Sequence, residues 1–364
     1  YEMLRSLVGS EMCIRDRHTL NFGFKSMLYH INSGTYEPEG SESFVKKDVL
    51  QKDKALETAF YLGDEWEITP KLSVNAGIRY SLFSALGPRS YYQYASDMLP
   101  HESTITDTIT AGAGKFMKTY HGPEFRLSAR YAFTDNFSVK AGFNSMRQYI
   151  HKLSNTVIMS PTDTWKLSDV NIKPQRGWQA AAGLYLNSPS GIWEYSVEGY
   201  YKRMSDYLDY RGGAKLLMNH HIETDVINTQ GHAYGVELQV KKQVGKLNGW
   251  MSYTYSRTFL RQNDKRIEKP VNNGDWYPTE YDKPHDFKFV GNYKFTHRYS
   301  MSINVDYSTG RPTTIPAGQY YDESTQSMRV YYTERNSYRI PDYFRTDISF
   351  NICLLYTSPS PRDS

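Results

Sequence analysis

The chain has 364 residues, 43 Lys and Arg against 39 Asp and Glu, a formal charge of +4, and 32 tyrosines. So small a charge, carried by dispersed basic residues, excludes the electrostatic footprint of a nucleic-acid binder. Mean hydropathy is -0.65 and no apolar run approaches the roughly 18 residues of a transmembrane helix, which excludes a helical membrane protein but not a strand-built one, since alternating strands look hydrophilic on average.

The two ends stand apart from the middle. Ser6 to Arg17 (SLVGSEMCIRDR) and Cys353 to Ser364 (CLLYTSPSPRDS) resemble translated sequencing-adapter read-through. Residues 1–17 and 353–364 are therefore expected to be non-native, disordered or poorly packed ends around a body of 18–352. Both cysteines, Cys13 and Cys353, fall in these ends, so the body offers no disulfide.

Leu20 to His30 alternates as a first strand, and a polar loop with Pro38 and Gly40 follows to about Lys54. Ala55 to Ile68 is a second strand, closed by a turn at Thr69, Pro70 and Lys71, because proline fixes φ and cannot donate to a ladder. Leu72, Val74, Ala76, Ile78 and Tyr80 then face one way, before a loop rich in Gly, Tyr, Ser and Thr from about Leu86 to Tyr120. Phe125 to Phe133 and Phe137 to Phe143 repeat the unit about a turn at Thr134, Asp135 and Asn136, and a loop follows from about Asn155 to Gln175. Trp178 to Leu186 and Trp193 to Tyr201 flank the turn Asn187 to Gly191. After a loop from Arg211 to about Asp225 come Tyr234 to Val240, a turn at Val244 to Lys246, Met251 to Tyr255, and a loop from Asn263 to Asp282.

The stretch His285 to Tyr307 shows a whole unit. Phe287, Phe289, Gly291, Tyr293 and Phe295 alternate with polar residues, a turn falls at Thr296, His297 and Arg298, and Tyr299, Met301, Ile303, Val305 and Tyr307 return. That pattern is a long, tightly closed β-hairpin with an apolar and a polar face. A loop from Arg311 to Ser337 leads to a last strand with Phe344, Thr346, Ile348, Phe350 and Ile352 on one face.

The fold class is therefore all-β, an antiparallel meander of about twelve long strands, with connections alternating between roughly three to five and roughly fifteen to thirty-five residues. A sandwich has no reason to sort its turns this way, whereas outer-membrane barrels place short turns on the periplasmic side and long loops outside. Long loops also count against a compact soluble domain.

Tyr61 to Ser81 (YLGDEWEITPKLSVNAGIRYS), Asn228 to Ser256, Tyr281 to Phe295 (YDKPHDFKFVGNYKF) and Tyr338 to Ile352 (YRIPDYFRTDISFNI) resemble segments of TonB-dependent outer-membrane receptors of the Bacteroidetes type. The resemblance covers nearly all of His18 to Ile352. It implies part of a barrel of about 22 strands, importing a scarce nutrient such as an iron-siderophore, haem, cobalamin or an oligosaccharide. It also implies a multi-pass place in the outer membrane of a Gram-negative cell, with outer-membrane lipid, a small nutrient ligand and TonB as partners and a surface lipoprotein as a further one. No segment here resembles the family's plug or its TonB-contact segment, so 18–352 is expected to be a barrel fragment, inactive alone. No cofactor and no nucleic-acid partner is expected.

Site residues are read from the loops. Tyr91, Tyr92, Tyr94, Trp165, Trp276, Tyr277, Tyr320, Tyr321, Tyr331 and Tyr332 concentrate there, and such rings stack on glycans or flat chelates. The alternative is that they pack loops together or form the outer aromatic girdle. His220 and His221 are chemically able to bind metal or haem, but adjacent loop histidines without a third ligand are more often solvated, so no metal site is assigned to them. His285, Asp282 and Asp286 of DKPHDF read as strand-opening rim residues, with no acid/base pair among them. The ligand-binding set is thus Tyr91, Tyr92, Trp165, His220, His221, Trp276, Tyr320 and Tyr321, with no catalytic residue. A passive porin or adhesion barrel, and an outer-membrane barrel enzyme, are the competing functions; no motif suggests the enzyme.

Overall fold

A computed structural model of the chain describes residues 2–14, 17–40, 42–44, 46–153, 164–212, 214, 217–262, 264, 270–322, 327–332 and 334–352, with backbone only at 2–14, 164, 322, 327 and 329–331. The sheet is made by β1 (Glu2–Ile14), β2 (His18–Ile31), β3 (Asp53–Thr69), β4 (Leu72–Leu86), β5 (Phe116–Thr134), β6 (Phe137–Gln148) and β7 (Gln175–Asn187). It continues through β8 (Trp193–Tyr210), β9 (Val226–Lys242), β10 (Leu247–Gln262), β11 (His285–Lys294), β12 (Tyr299–Ser308) and β13 (Tyr343–Ile352). Each strand pairs antiparallel with its neighbours in the chain, and β1 and β13 do not pair with each other, so the sheet is open.

The twelve strands expected from alternation are β2 to β13. The thirteenth, β1, falls in the end expected to be poorly packed, and that expectation is not met: its backbone pairs with β2 from Glu2 opposite His30 to Ile14 opposite His18. The physical reason is that β2 would otherwise expose a row of unpaired N–H and C=O groups. The other end, 353–364, lies outside the described residues.

Register turns one-dimensional alternation into two faces. Phe137, Leu186, Tyr195, Val240, Met251, Phe289 and Val305 lie in one row across seven consecutive strands. One residue along, the row reads Ser138, Tyr185, Ser196, Gln239, Ser252, Lys288, Asp306 and Arg345. A slip by one residue would bring this row of Ser, Gln and charged side chains onto the apolar face, so the register is strongly specified. Among the described residues no second layer covers the apolar face, where Phe60 is 56% exposed and Leu127 50%.

The short turns have a shared chemistry. Thr69 Oγ1 accepts from the Lys71 and Leu72 amides, Thr134 Oγ1 from Asn136 and Phe137, and Thr296 Oγ1 from Arg298 and Tyr299, at 3.0–3.3 Å. Each hydroxyl accepts from two successive amides where the chain turns back.

The long connections are not irregular throughout. Arg89–Tyr94 pairs with Ile105–Ala111, Ile150–Leu153 with Thr164–Leu167, and Pro316–Asp322 with Ser327–Tyr332. Their Ser, Thr and Tyr content suits a pleated surface, but the turns that close them carry no Asn-Gly or Asp-Gly signal. The second of these hairpins folds over the polar face, where Met27, Tyr29, Ile31, Ala55 and Phe83 of β2 to β4 bury Tyr149 and Leu167.

Candidate ligand site at the loop end of the sheet

Two buried polar networks organise the loop end. In the first, Asp53 at the start of β3 accepts from Arg89 Nη1, from Lys166 Nζ at 2.9 Å and from the Leu167 amide at 3.2 Å. Asp169 accepts from Lys166 Nζ at 2.7 Å and from the Asn171 and Ile172 amides at 2.9 and 3.0 Å. Burial alone would push the Asp169 carboxyl up, but Lys166 and Arg89 outweigh it and hold it at about 2. Two carboxylates and two cations, each with further hydrogen bonds, can stay ionised out of water. The network fastens two loops to the wall of β2 to β4, helped by the Phe83 and Tyr149 rings stacked at 4.6 Å.

Beside it, His151 is 2% exposed, with Nε2 2.9 Å from Ser168 Oγ and Nδ1 unpartnered. Burial and then Lys166 push its imidazole down to about 4, so it is neutral in the folded loop.

The second network lies over β8 to β10. Asp209 accepts from Tyr277 OH at 2.5 Å and Arg335 Nη1 at 2.9 Å, and Arg335 Nη1 also donates to Tyr210 O at 2.6 Å. Asn272 and Arg335 exchange bonds, and Asn336 Nδ2 reaches Pro278 O at 2.8 Å. The loops after β10 and β12 are thereby tied to the end of β8.

Between these networks lies a cavity of 360 Å³ lined by Tyr207, Tyr210, Tyr277, Tyr281, His151, Lys152, Asp209, Glu280, Gln148 and Gln175, among others. Its size suits a small ligand. The Tyr281 hydroxyl lies 3.2 Å from that of Tyr207. Burial first, and Asp209 next, push the Tyr277 phenol up; burial and Asp209 likewise raise Glu280. The wall therefore offers protonated phenols as donors, aromatic faces for stacking and a carboxyl biased toward its neutral form. A trough of 460 Å³ on the polar face, lined by Lys25, Tyr61, Arg79, Glu124 and Arg126 among others, continues along β2 to β6.

Of the loop aromatics and histidines singled out from sequence, Tyr277 lines this cavity, and the eight residues of the ligand-binding set do not. Tyr91 and Tyr92 sit on the hairpin strand Arg89–Tyr94, and Tyr92 packs on the His221 ring at 4.6 Å. His221 precedes the one-turn helix Ile222–Asp225, and His220 Nε2 is 2.8 Å from Asp48 Oδ1. Trp165, Tyr320 and Tyr321 are exposed on the strands of the loop hairpins. Trp276 lies against His232 at 4.3 Å and beneath Arg261, on the apolar side. Among the described residues no group of three His, Cys, Asp or Glu is arranged to hold a metal ion.

Tyr207, Tyr210, Tyr281, His151 and Glu280 were not singled out. The one available signal was SDYLDY at Ser205 to Tyr210, polar and aromatic residues carrying β8 past its apolar alternation. Asp282 is a structural pin: its buried carboxylate accepts from the Thr258 amide at 2.7 Å and pairs with Arg257 and Arg339. His285 closes a rim, with Nδ1 2.8 Å from Tyr253 OH and its amide donating to Thr309 Oγ1.

No curated protein matches the sequence. Among solved structures, the FrpB iron transporter from Neisseria meningitidis superposes with a TM-score of 0.59 at 12% identity, over 97% of this chain and 48% of that one. The ferric-catecholate import receptor Fiu from K12 E. coli gives 0.56 at 14%, over 96% and 47%. The ferripyoverdine receptor of the Pseudomonas aeruginosa outer membrane gives 0.53 at 13%, over 96% and 42%. Such identities carry the fold alone, and the chain spans a little under half the length of each of these neighbours. The family model described as TonB dependent receptor-like, beta-barrel, matches residues 7–353. These receptors and transporters are not enzymes, and this chain belongs to the TonB-dependent receptor β-barrel family.

Proposed function

We propose that the protein carrying this barrel imports a scarce nutrient across the outer membrane in a TonB-dependent way, and that the nutrient is an iron chelate. The observation that carries the reading is the sorting of the sheet: short capped turns at one end, and at the other long loops knit by buried networks around a tyrosine-lined cavity. A pore for free diffusion needs no such fixed cavity at its mouth, whereas capture of a ligand does. Its phenols and aromatic faces suit a flat, hydrogen-bonding chelate, and the iron importers among the structural neighbours support the same ligand class. The exposed apolar face meets lipid, and the polar face with its trough lines the path of the ligand.

The test is uptake of radiolabelled ferric chelates by cells carrying the full-length receptor, with and without functional TonB. Uptake should vanish when TonB function is lost; uptake that persists without it would refute the reading. Replacing 90–110 by a short flexible link should weaken chelate binding at least tenfold, the loss expected when about 1.4 kcal/mol of loop contact is removed, while strand content by circular dichroism stays unchanged.

A further inference from the structure

The tyrosine-lined cavity carries its charges unevenly, and what it has in surplus is a carboxylate. Of the two acidic side chains in its lining, Asp209 is fully engaged: Oδ2 accepts from Tyr277 OH and Arg335 Nη1, and Oδ1 from the Tyr210 amide at 2.8 Å. Glu280, on the loop after β10, is half-buried, and its carboxylate makes no hydrogen bond or ion pair among the described residues. The cation of the lining, Lys152, is not free to serve it. A carboxylate shielded from water without a counter-charge costs free energy that a cationic ligand group would return.

Four tyrosines share that lining with Glu280. Tyr281 follows it in the chain, and the Tyr281 hydroxyl meets that of Tyr207. The protein already seats a cation on one of these rings, since Arg335 lies over Tyr277 at 5.8 Å while pairing with Asp209. A further acceptor stands in the wall from the loop after β6, where buried His151 leaves Nδ1 without a partner. Aromatic faces beside a carboxylate are how an ammonium is held away from water, the rings attracting it through their quadrupoles and the carboxylate through its charge. An anion entering the same space meets a like charge at reduced dielectric. Burial and then Asp209 push the Glu280 carboxyl up, against the opposing pull of Arg335 and Arg311, as befits a carboxyl lacking its counter-ion.

We propose that the cavity recognises a positively charged ammonium group on its ligand, with the Glu280 carboxylate as counter-ion and the Tyr207 and Tyr281 rings packed against it, so that cationic chelates are taken in preference to anionic ones. Glu280 is then the residue that sets the charge of the cargo. Arg335 is occupied by Asp209 and Lys152 is not free, so an anionic chelate finds no uncommitted cation in the described lining. The inference rests on the cavity being where the chelate is captured, as proposed above.

The experiment is isothermal titration calorimetry on the full-length receptor in neutral detergent micelles. The probes are a ferric trihydroxamate with a pendant primary ammonium, the same chelate with that amine acetylated, and a ferric tricatecholate, which is an anion. The ammonium form should bind at least about tenfold more tightly than the acetylated one, and the tricatecholate most weakly. Glu280→Gln should close that gap and Glu280→Asp should keep part of it. Glu334→Gln, which alters an exposed carboxylate outside the lining, should keep all of it. Since the Glu280 carboxylate makes no hydrogen bond among the described residues, its Gln variant gives up no such contact and should fold as the wild type does. Equal affinities for the ammonium and acetylated forms, or a gap that survives Glu280→Gln, would overturn the ammonium site and leave chelate capture standing. Binding of none of the three chelates by folded wild type would remove both.

Discussion

His151 is the residue whose surroundings set the clearest pH response. Its imidazole is neutral in the folded loop because burial and Lys166 hold it at about 4, against 6.5 when exposed, while Asp169 nearby favours the charged form. A detached loop would bind a proton below about pH 6.5 that the folded loop refuses until about pH 4, so loop stability is full above pH 6.5 and falls as pH drops toward 4, by up to about 3 kcal/mol. Asp169 has the opposite chemistry but the same sign: its depressed carboxyl adds stability above the unfolded value of about 3.8, lost as pH falls through about 2. Hydrogen exchange of 164–172 should therefore speed up between pH 6.5 and 4 beyond its intrinsic change, and His151→Gln, which does not titrate, should flatten that response. A flat wild-type profile would show that His151 is open to water. Asp53→Ala should release the same segment at neutral pH at a cost of about 3–5 kcal/mol, since it leaves two buried cations, Lys166 and Arg89, to share the single carboxylate of Asp169.

At the level of strands, sequence and structure agree because both obey a period of two. β2 to β13 were legible since each carries an apolar face that no described layer covers, so apolar residues recur at alternate positions along it. β1 escaped because its sequence was set aside as a foreign end, whereas the pairing demand of β2 acts on backbone and is blind to side-chain origin. The loop networks escaped for another reason: Lys166 and Asp53 lie 113 positions apart, and a contact of that span leaves no periodic trace in either segment. Trp276 illustrates the same limit, since whether a loop tryptophan faces ligand or lipid depends on where the strands beneath it end. The register itself makes a sharp prediction. Ile303 lies in the apolar row between Gly291 and Ile348, and Asn304 in the polar row between Val290 and Asp347. Ile303→Arg should cost the full-length receptor roughly 2–4 kcal/mol of folding stability in lipid, and Asn304→Arg close to nothing. Equal costs would mean that protein covers both faces.

For the whole molecule the decisive feature is that, among the described residues, β1 to β13, with Tyr277–Pro278 paired onto β10, make an open sheet and not a closed barrel. The free edges of β1 and β13 each present unpaired N–H and C=O groups, and in hydrocarbon each such group costs several kcal/mol because no water reaches it. β13 makes the problem acute: all ten of its residues, Tyr343 to Ile352, are exposed, including Phe350 at 69% and Phe344 at 68%. A polypeptide of these 364 residues refolded alone into lipid vesicles is therefore driven to satisfy its edges by pairing with other copies, since edge-to-edge addition restores a hydrogen bond for nearly every stranded backbone group. The expected outcome is a population of dimers and higher assemblies on native mass spectrometry, with exchange protection appearing on β13 amides only after assembly. Chelate binding should be weak in these species, because the trough on the polar face is walled on one side alone. A monodisperse, heat-modifiable monomer with protected β13 amides would show instead that β1 and β13 can meet, and that a small closed barrel is accessible to this sequence.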